Sequence, residues 1–301
     1  MGYSVAMTSS DDALHAPESP YRATGSLAGR TILISGGSRG IGLAIATRAA
    51  RDGANIVLLA KTGEPHPKLA GTVYTAAAQL EEAGGQALPL VGDVRRDEDV
   101  AGAVAAAVER FGGIDVVINN ASAIDLSTTD AVDMKKYDLM QDINVRGTFL
   151  LSKLALPALR KSEQGHILTL SPPLNLHPSW AGKHLAYTMA KYGMSLTTLG
   201  LAEELKADGI RVNSLWPCTL IDTAAIRNMP HGETMVLAAR GPQIMADAAH
   251  AILTGSNLAA GGPPSGNFYT DEQVLAAAGV TDFRPYSLGA PEDRLVPDIF
   301  L

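Results

Sequence analysis

Tyr187 and Lys191, four residues apart in AYTMAKYG, are the first side chains in this 301-residue chain whose types and spacing suggest chemistry. On a helix, residues at i and i+4 share one face, which would set a phenol beside an ammonium. A free tyrosine has a pKa of about 10, too high for a base at neutral pH, and a neighbouring cation brings it down by favouring the phenolate. The pair is therefore a candidate general acid/base. The same spacing also occurs on amphipathic helices that carry out no reaction.

Far upstream the chain reads ISGGSRGIG, Ile34 to Gly42. Gly36 supplies a backbone without Cβ where a strand turns into a helix. Gly40 and Gly42 let the chain approach a pyrophosphate and the sheet closely. The amides and dipole at the helix start then favour a phosphate. A tight glycine turn without ligand is the plain alternative, which the strand before and the helix after make less economical. Combined with the Tyr/Lys pair, this implies a nicotinamide-dependent enzyme interconverting a carbonyl and a secondary alcohol.

These residues need a scaffold, and the hydrophobic pattern predicts one. Short apolar runs at 31–34, 55–60, 87–91, 115–119, 166–170 and 211–215, with a further candidate at 266–269, alternate with helical patterns at 40–52, 72–83, 97–111, 137–159 and 187–207. Asp97 is expected to cap its helix. Strands separated by helices mean βαβ units and a parallel sheet covered on both faces. The expected fold class is α/β: a single doubly wound Rossmann domain with about seven strands, spanning 26–301 with its C-terminal extension. Residues 1–25, rich in Ser, Asp, Pro and Ala, are expected to be a flexible arm.

Composition narrows the classes. The chain is 46% hydrophobic with a net charge of −7, which gives no general attraction for nucleic acid. It has no apolar run of membrane-spanning length, no signal peptide and one cysteine, Cys218, so a cytoplasmic protein without a disulfide framework is expected. No Cys/His cluster suggests a metal.

The spacing G-x-x-x-G-x-G resembles the short-chain dehydrogenase/reductase family, whose fingerprint has threonine where Ser35 stands. Asn119-Asn120-Ala121-Ser122 is similar to its N-N-A-G segment, with Ser122 for glycine, and Pro217-Cys218 to its P-G turn, with Cys218 for glycine. The resemblance runs from about Thr31 to Met229. It implies Tyr187 as acid in reduction and base in oxidation. Lys191 would lower the Tyr187 pKa and hold the nicotinamide ribose, and Asn144 would anchor a proton-passing water. Cofactor contacts would come from Gly36, Ser38, Arg39, Gly40, Ile41, Lys61, Asp93, Val94, Asn120 and Pro217, together with Tyr187 and Lys191. NADP(H) is expected over NAD(H): Ala60 stands where an acid would meet the ribose 2′-hydroxyl, and Arg39 and Lys61 suit a 2′-phosphate. The family also implies a homo-oligomer acting on a small molecule.

The serine that polarises the carbonyl in this family falls here on an irregular loop, LTLSPPLNLHPSW. Leu174 holds the usual spacing from Tyr187. Ser171 is the expected donor; the alternative puts Pro172 at that place and leaves polarisation to Tyr187 or Asn175. This loop, KTGEPHPKLAGTVYTAA after the second strand, and the tail from SGNFYTDEQVL to PDIF resemble the hydroxysteroid dehydrogenase-like branch of the family. Animal members append a sterol-carrier domain, which is not expected in these 301 residues. His66 lies in the loop near the expected adenosine phosphate, His177 and His184 flank the expected substrate loop, and Trp180 and Met189 read as packing residues. The apolar stretch 174–180 and the segment after Pro217 suggest a hydrophobic substrate. A rival reading is a catalytically weak NADP(H)-binding sensor or interaction protein, supported by the odd serine loop, Ser122 and Cys218 and opposed by Asn144, Tyr187 and Lys191.

Overall fold

A computed structural model describes residues 19–65, 70–256 and 264–301. Seven parallel strands form one sheet: β1 (Thr31–Ser35), β2 (Asn55–Ala60), β3 (Gln86–Val91), β4 (Val116–Asn119), β5 (His166–Thr169), β6 (Arg211–Trp216) and β7 (Phe268–Thr270), in the order β3-β2-β1-β4-β5-β6-β7. Parallel strands buried on both faces explain the unbroken apolar runs. Along β1 and β2, Ile32, Ile34, Ile56 and Leu58 join the core on one face, while Leu33, Val57 and Leu59 join the core on the other.

Helices α1 (Gly40–Ala50), α2 (Val73–Glu82) and α3 (Asp97–Phe111) follow the first three strands. Helix α1 is amphipathic, and its Ile45, Ala46, Ala49 and Ala50 pack on the first core. Thr72 and Thr75 cap α2 reciprocally. The cap expected of Asp97 is not made. Asp97 is already the first helical residue of α3, and its carboxylate pairs with Arg146 at 2.6 Å.

The single helix expected over 137–159 is three pieces: α4 (Met134–Met140), a π-turn over Gln141–Arg146, and α5 (Gly147–Leu159). A π-turn inserts a residue into the helical ladder and redirects the side chains around it. Here it carries the fully buried Asn144. Next come α6 (Pro178–Lys183), α7 (Leu185–Glu204), the short α8 (Ala224–Arg227) and α9 (Gly232–Met235), α10 (Gln243–Thr254) and α11 (Asp271–Ala277).

Strand order reverses between β1 and β4. Their carboxyl ends are in register, Ser35 with Asn119, and Asn119 in turn with Thr169 of β5. At such a switch point α1 and α5 leave toward opposite faces and open a crevice above the strand ends.

Of the segment expected to be an arm, residues 1–18 lie outside the described residues, while Ser19 and Tyr21 contact the body of the domain. Ser19 Oγ donates to Asp247 (2.5 Å), the Tyr21 hydroxyl meets His250 Nδ1 (3.0 Å), and the Tyr21 ring is buried. Burial disfavours charge on both Tyr21 and His250, raising the pKa of the first and lowering that of the second. Tyr21→Ala should therefore cost about 3 kcal/mol in urea denaturation, as for other large core side chains; a loss below about 1 kcal/mol would show that this segment contributes little.

Candidate active site

The glycine turn is built from tight contacts. Gly36 has φ +70°, and a Cβ there would lie 2.9 Å from Asn120 Nδ2; at Gly42 it would lie 2.5 Å from the same atom. Asn120 Nδ2 donates to Ser35 O (3.0 Å) and Gly36 O (2.9 Å), so the amide itself occupies the space a side chain would need. The Ser35 hydroxyl accepts from the backbone N–H of Asn120 and Ala121 (3.2 and 3.1 Å), work that requires only a hydroxyl and therefore tolerates serine.

Above this turn opens a cavity of about 620 Å³. Gly36, Ser38, Arg39, Gly40, Ile41, Lys61, Asp93, Val94 and Asn120 all line it, as expected for cofactor contacts. The bare glycine backbone at the start of α1 fits a nucleotide pyrophosphate. Arg39 is less free than its position in the sequence suggests: its guanidinium donates to Ala70 O (3.0 Å) and Gly71 O (2.7 Å). Lys61 is exposed and lies 3.3 Å from Asp93, whose carboxylate is gripped by Arg95 at 2.6 Å. Arg95, then Lys61, hold the Asp93 carboxyl well below the usual range. Asp93 thus lines the cavity with its charge already neutralised. His66 lies outside the described residues.

A second cavity of about 330 Å³ adjoins the first, and Ile41, Asn120, Ser122, Thr223 and Ala225 line both. Tyr187, Lys191 and Pro217 line this second cavity and not the first. Its walls are otherwise largely apolar, from Leu126, Trp216, Leu220, Ile226, Met229 and Met235. Tyr187 and Lys191 sit one turn apart on α7, as their spacing predicts. Burial, then the Asp298 carboxylate, raise the Tyr187 pKa above its ordinary value. Burial also lowers Lys191, to about 7, against an opposing pull from Asp298. The Lys191 ammonium donates to Leu170 O (2.7 Å) and lies 5.0 Å from the Trp216 ring centroid.

Asn144 lines neither cavity, and both ends of its amide clasp the backbone of Ala123: Oδ1 accepts from its N–H (2.7 Å) and Nδ2 donates to its carbonyl (3.0 Å). The side chain holds the loop after β4 in place.

Ser171 is not brought to Tyr187. Its hydroxyl is fully buried, bonded to Ser214 Oγ at 2.8 Å, and that serine continues to Thr198 Oγ1 at 2.8 Å. Neither cavity includes Ser171 in its lining. The reason lies in the strand register. Ser171 stands two residues past Thr169, which pairs with Ser214 on β6, so its hydroxyl meets a neighbouring strand rather than the crevice. Pro172 follows, its carbonyl accepting from Ser195 (2.7 Å). Asn175 Oδ1 accepts from the His177 N–H (3.0 Å), and His184 Nδ1 lies 2.9 Å from Leu126 O, so both groups serve loop structure.

Sequence reasoning missed the C-terminal strap. Phe300, buried at φ +78°, fills a box of Trp180, Tyr187, Tyr192 and Trp216, with its ring 6.2 Å from that of Tyr187 and close to parallel. Asp298 and Ile299 line the Tyr187 cavity. More than a hundred residues separate this strap from Tyr187, and no spacing rule connects them. Among the described residues there is no grouping of three His, Cys, Asp or Glu able to hold a metal, and no helix long and apolar enough to cross a membrane.

The family model described as short chain dehydrogenase matches residues 30–234. The chain belongs to the short-chain dehydrogenase family. It is 54% identical over 278 residues to hydroxysteroid dehydrogenase-like protein 2 of Xenopus laevis, covering 92% of this chain and 65% of that one. The chain thus spans just under two thirds of that curated relative. A crystal structure of a short-chain dehydrogenase from Mycobacterium thermoresistibile superposes with a TM-score of 0.84 at 50% identity, covering 92% of this chain and 96% of that one. A more distant structure, an NADH-dependent reductase complexed with NAD, gives a TM-score of 0.65 at 26% identity over 81% of this chain and 95% of that one. The cradle at Gly36 and Gly42 agrees with membership in that family.

With its hydroxyl turned inward, Ser171→Ala should lower stability by about 1 kcal/mol through the loss of a buried hydrogen bond. Turnover should stay within a few-fold. A drop of about a hundredfold, the cost of losing an oxyanion donor, would show that Ser171 turns toward substrate instead.

Proposed function

We propose that this protein is an NADP(H)-dependent reductase or secondary-alcohol dehydrogenase, with Tyr187 as the group that moves the proton. The observation that carries this reading is the continuity of the two cavities. The glycine turn floors one, Tyr187 and Lys191 wall the other, and Asn120 and Ser122 belong to both.

When bound, a reduced nicotinamide supplies the hydride, and the chain supplies position and protons. The Gly36–Ile41 turn and the start of α1 would hold the pyrophosphate. Lys61, exposed and paired with Asp93, is the cation that would meet a 2′-phosphate; no acid stands at position 60 to prefer a free ribose hydroxyl. Arg39 would contribute its field from a fixed position, since its N–H groups are bonded to the backbone carbonyls of Ala70 and Gly71.

At the reacting carbon, Tyr187 is held as a protonated phenol by its burial, which suits donation to a carbonyl oxygen in reduction. Lys191 would steady the negative charge left on the phenol oxygen and reach the ribose. With Ser171 turned inward, Tyr187 is the donor that polarises the carbonyl. The Ser122 hydroxyl, whose contact with Ala123 O is a long 3.4 Å, faces the junction of the cavities and is the nearest thing to a substitute. The mostly apolar second cavity suits an apolar carbonyl compound. Nothing in the site favours the rival reading of a binder without turnover.

Two outcomes test this. Tyr187→Phe should abolish NADPH oxidation on any ketone the wild type accepts while leaving cofactor affinity nearly intact. Because burial raises the Tyr187 pKa, wild-type reduction should persist at pH 7, whereas oxidation of the alcohol, which needs the phenolate, should rise with pH; wild-type rates in the Phe variant would overturn the assignment. Separately, Lys61→Ala should weaken NADPH by about tenfold relative to NADH in fluorescence titrations, the size of one charge-assisted contact. Equal wild-type affinities for the two cofactors would overturn the NADP(H) preference.

A further inference from the structure

The substrate cavity is not uniformly apolar. Among the described residues Asp298 is the one carboxylate on its wall, which it shares with Tyr187 and Lys191. It reaches this place through its backbone. The Asp298 N–H donates to Cys218 O (3.0 Å), Trp216 Nε1 donates to Ile299 O (2.9 Å), and Phe300 locks into the aromatic box behind Tyr187. Just before it, the Leu220 N–H donates to Val296 O (2.9 Å), so the strap is fastened on both sides of the acid.

A carboxylate offers about four acceptor sites. The groups that act on this one are the Ile299 amide, the Trp216 indole, the Lys191 ammonium and the Asp271 carboxylate. The indole hydrogen already goes to Ile299 O; the ammonium donates to Leu170 O and Met194 Sδ, and among the described residues no hydrogen bond joins it to Asp298. Asp271 makes no hydrogen bond to it: its Oδ1 accepts from Cys218 N–H and Glu272 N–H while its Oδ2 is buried without a partner. Asp298 therefore keeps acceptor capacity toward the cavity. An ionised acid placed in an apolar wall with so few donors is costly unless a ligand brings one. Burial, with Asp271 adding to it, pushes its pKa up to about 7, so a donor arriving from the cavity would find a strong acceptor.

The sign of the surroundings selects among donors. Lys191 beside it disfavours a substrate ammonium, and the Asp298 charge disfavours a substrate carboxylate. A neutral hydroxyl remains. Building on the carbonyl–alcohol reading above, we infer that Asp298 is the polar recognition residue of the substrate cavity, accepting a hydrogen bond from a hydroxyl that an otherwise apolar carbonyl substrate carries close to its reacting carbon. The preferred class is then the apolar hydroxy ketone and the corresponding diol. A plain ketone fills the walls but leaves Asp298 unanswered, and a keto acid is repelled.

The test compares three probes with the full-length protein: an aliphatic acyloin, the ketone lacking its hydroxyl, and the acyloin methyl ether. Each is assayed for reduction with NADPH and with NADH. The readout is the ratio of kcat/KM values, since loosening the strap would depress all three together. The wild type should favour the acyloin over both analogues by about tenfold or more, as for a hydrogen bond to a charged group. Asp298→Ala should bring that ratio toward one. Asp298→Asn, which keeps the size and guards against a misfolded strap, should fall between. An unchanged ratio in both variants, or a wild type indifferent to the hydroxyl, overturns the inference while leaving the oxidoreductase reading intact. A wild type that reduces none of the three with either nicotinamide strikes the oxidoreductase reading and the inference together.

Discussion

The end of β1 and the end of β4 part company in this sheet, one chain turning into α1 on one face and the other leading to α5 on the opposite face. The Asn120 side chain holds them together by donating to Ser35 O and Gly36 O. That bridge sets how close the two loops come, and with it the shape of the crevice. It also explains why Gly36 and Gly42 tolerate no side chain: the amide occupies the volume a Cβ would take. Everything placed above the strand ends depends on this junction, from the nucleotide cradle to the Ala123 backbone clasped by Asn144.

From the junction, the site divides by polarity. Toward β2 and β3 the cavity carries charge, with Lys61, Asp93 and Arg95 in a small network and Arg39 fixed to the neighbouring loop. Toward β5 and β6 it becomes apolar, and its two basic-to-acidic partners, Lys191 and Asp298, are both shifted toward neutrality, each to about 7. Both shifts arise because desolvation disfavours the charged form of either sign. The same burial costs stability, which the aromatic box around Phe300 helps to offset along the C-terminal strap.

Much of this was legible in the sequence. The strands, the helix starts and the glycine turn follow from local patterns: apolar runs, Gly and caps act over a few residues, and local rules reach that far. The Tyr187/Lys191 pair was legible for the same reason, being one helical turn. What the sequence did not show depends on register or long reach. Ser171 looked like a donor because it ends a strand, but its direction is decided by its pairing with β6. A continuous helix over 137–159 fits the pattern, yet a π-turn carries Asn144, whose amide bonds to Ala123 some twenty residues away, beyond the reach of any local rule. Inside the segment expected to be an arm, Tyr21 finds His250, more than two hundred residues away. Asp298 and Phe300 were visible only as a family-like tail, with nothing local to say that they return to Tyr187.

The central claim is that one crevice brings a dinucleotide and Tyr187 together. A crystal structure of the full-length protein soaked with NADP+ tests it most directly. The account predicts the pyrophosphate over the Gly36–Ile41 amides, the 2′-phosphate at Lys61, and the nicotinamide ring at the junction lined by Asn120 and Ser122, facing Tyr187. A dinucleotide bound elsewhere, or one whose nicotinamide points away from Tyr187 with the second cavity empty of it, would contradict the account.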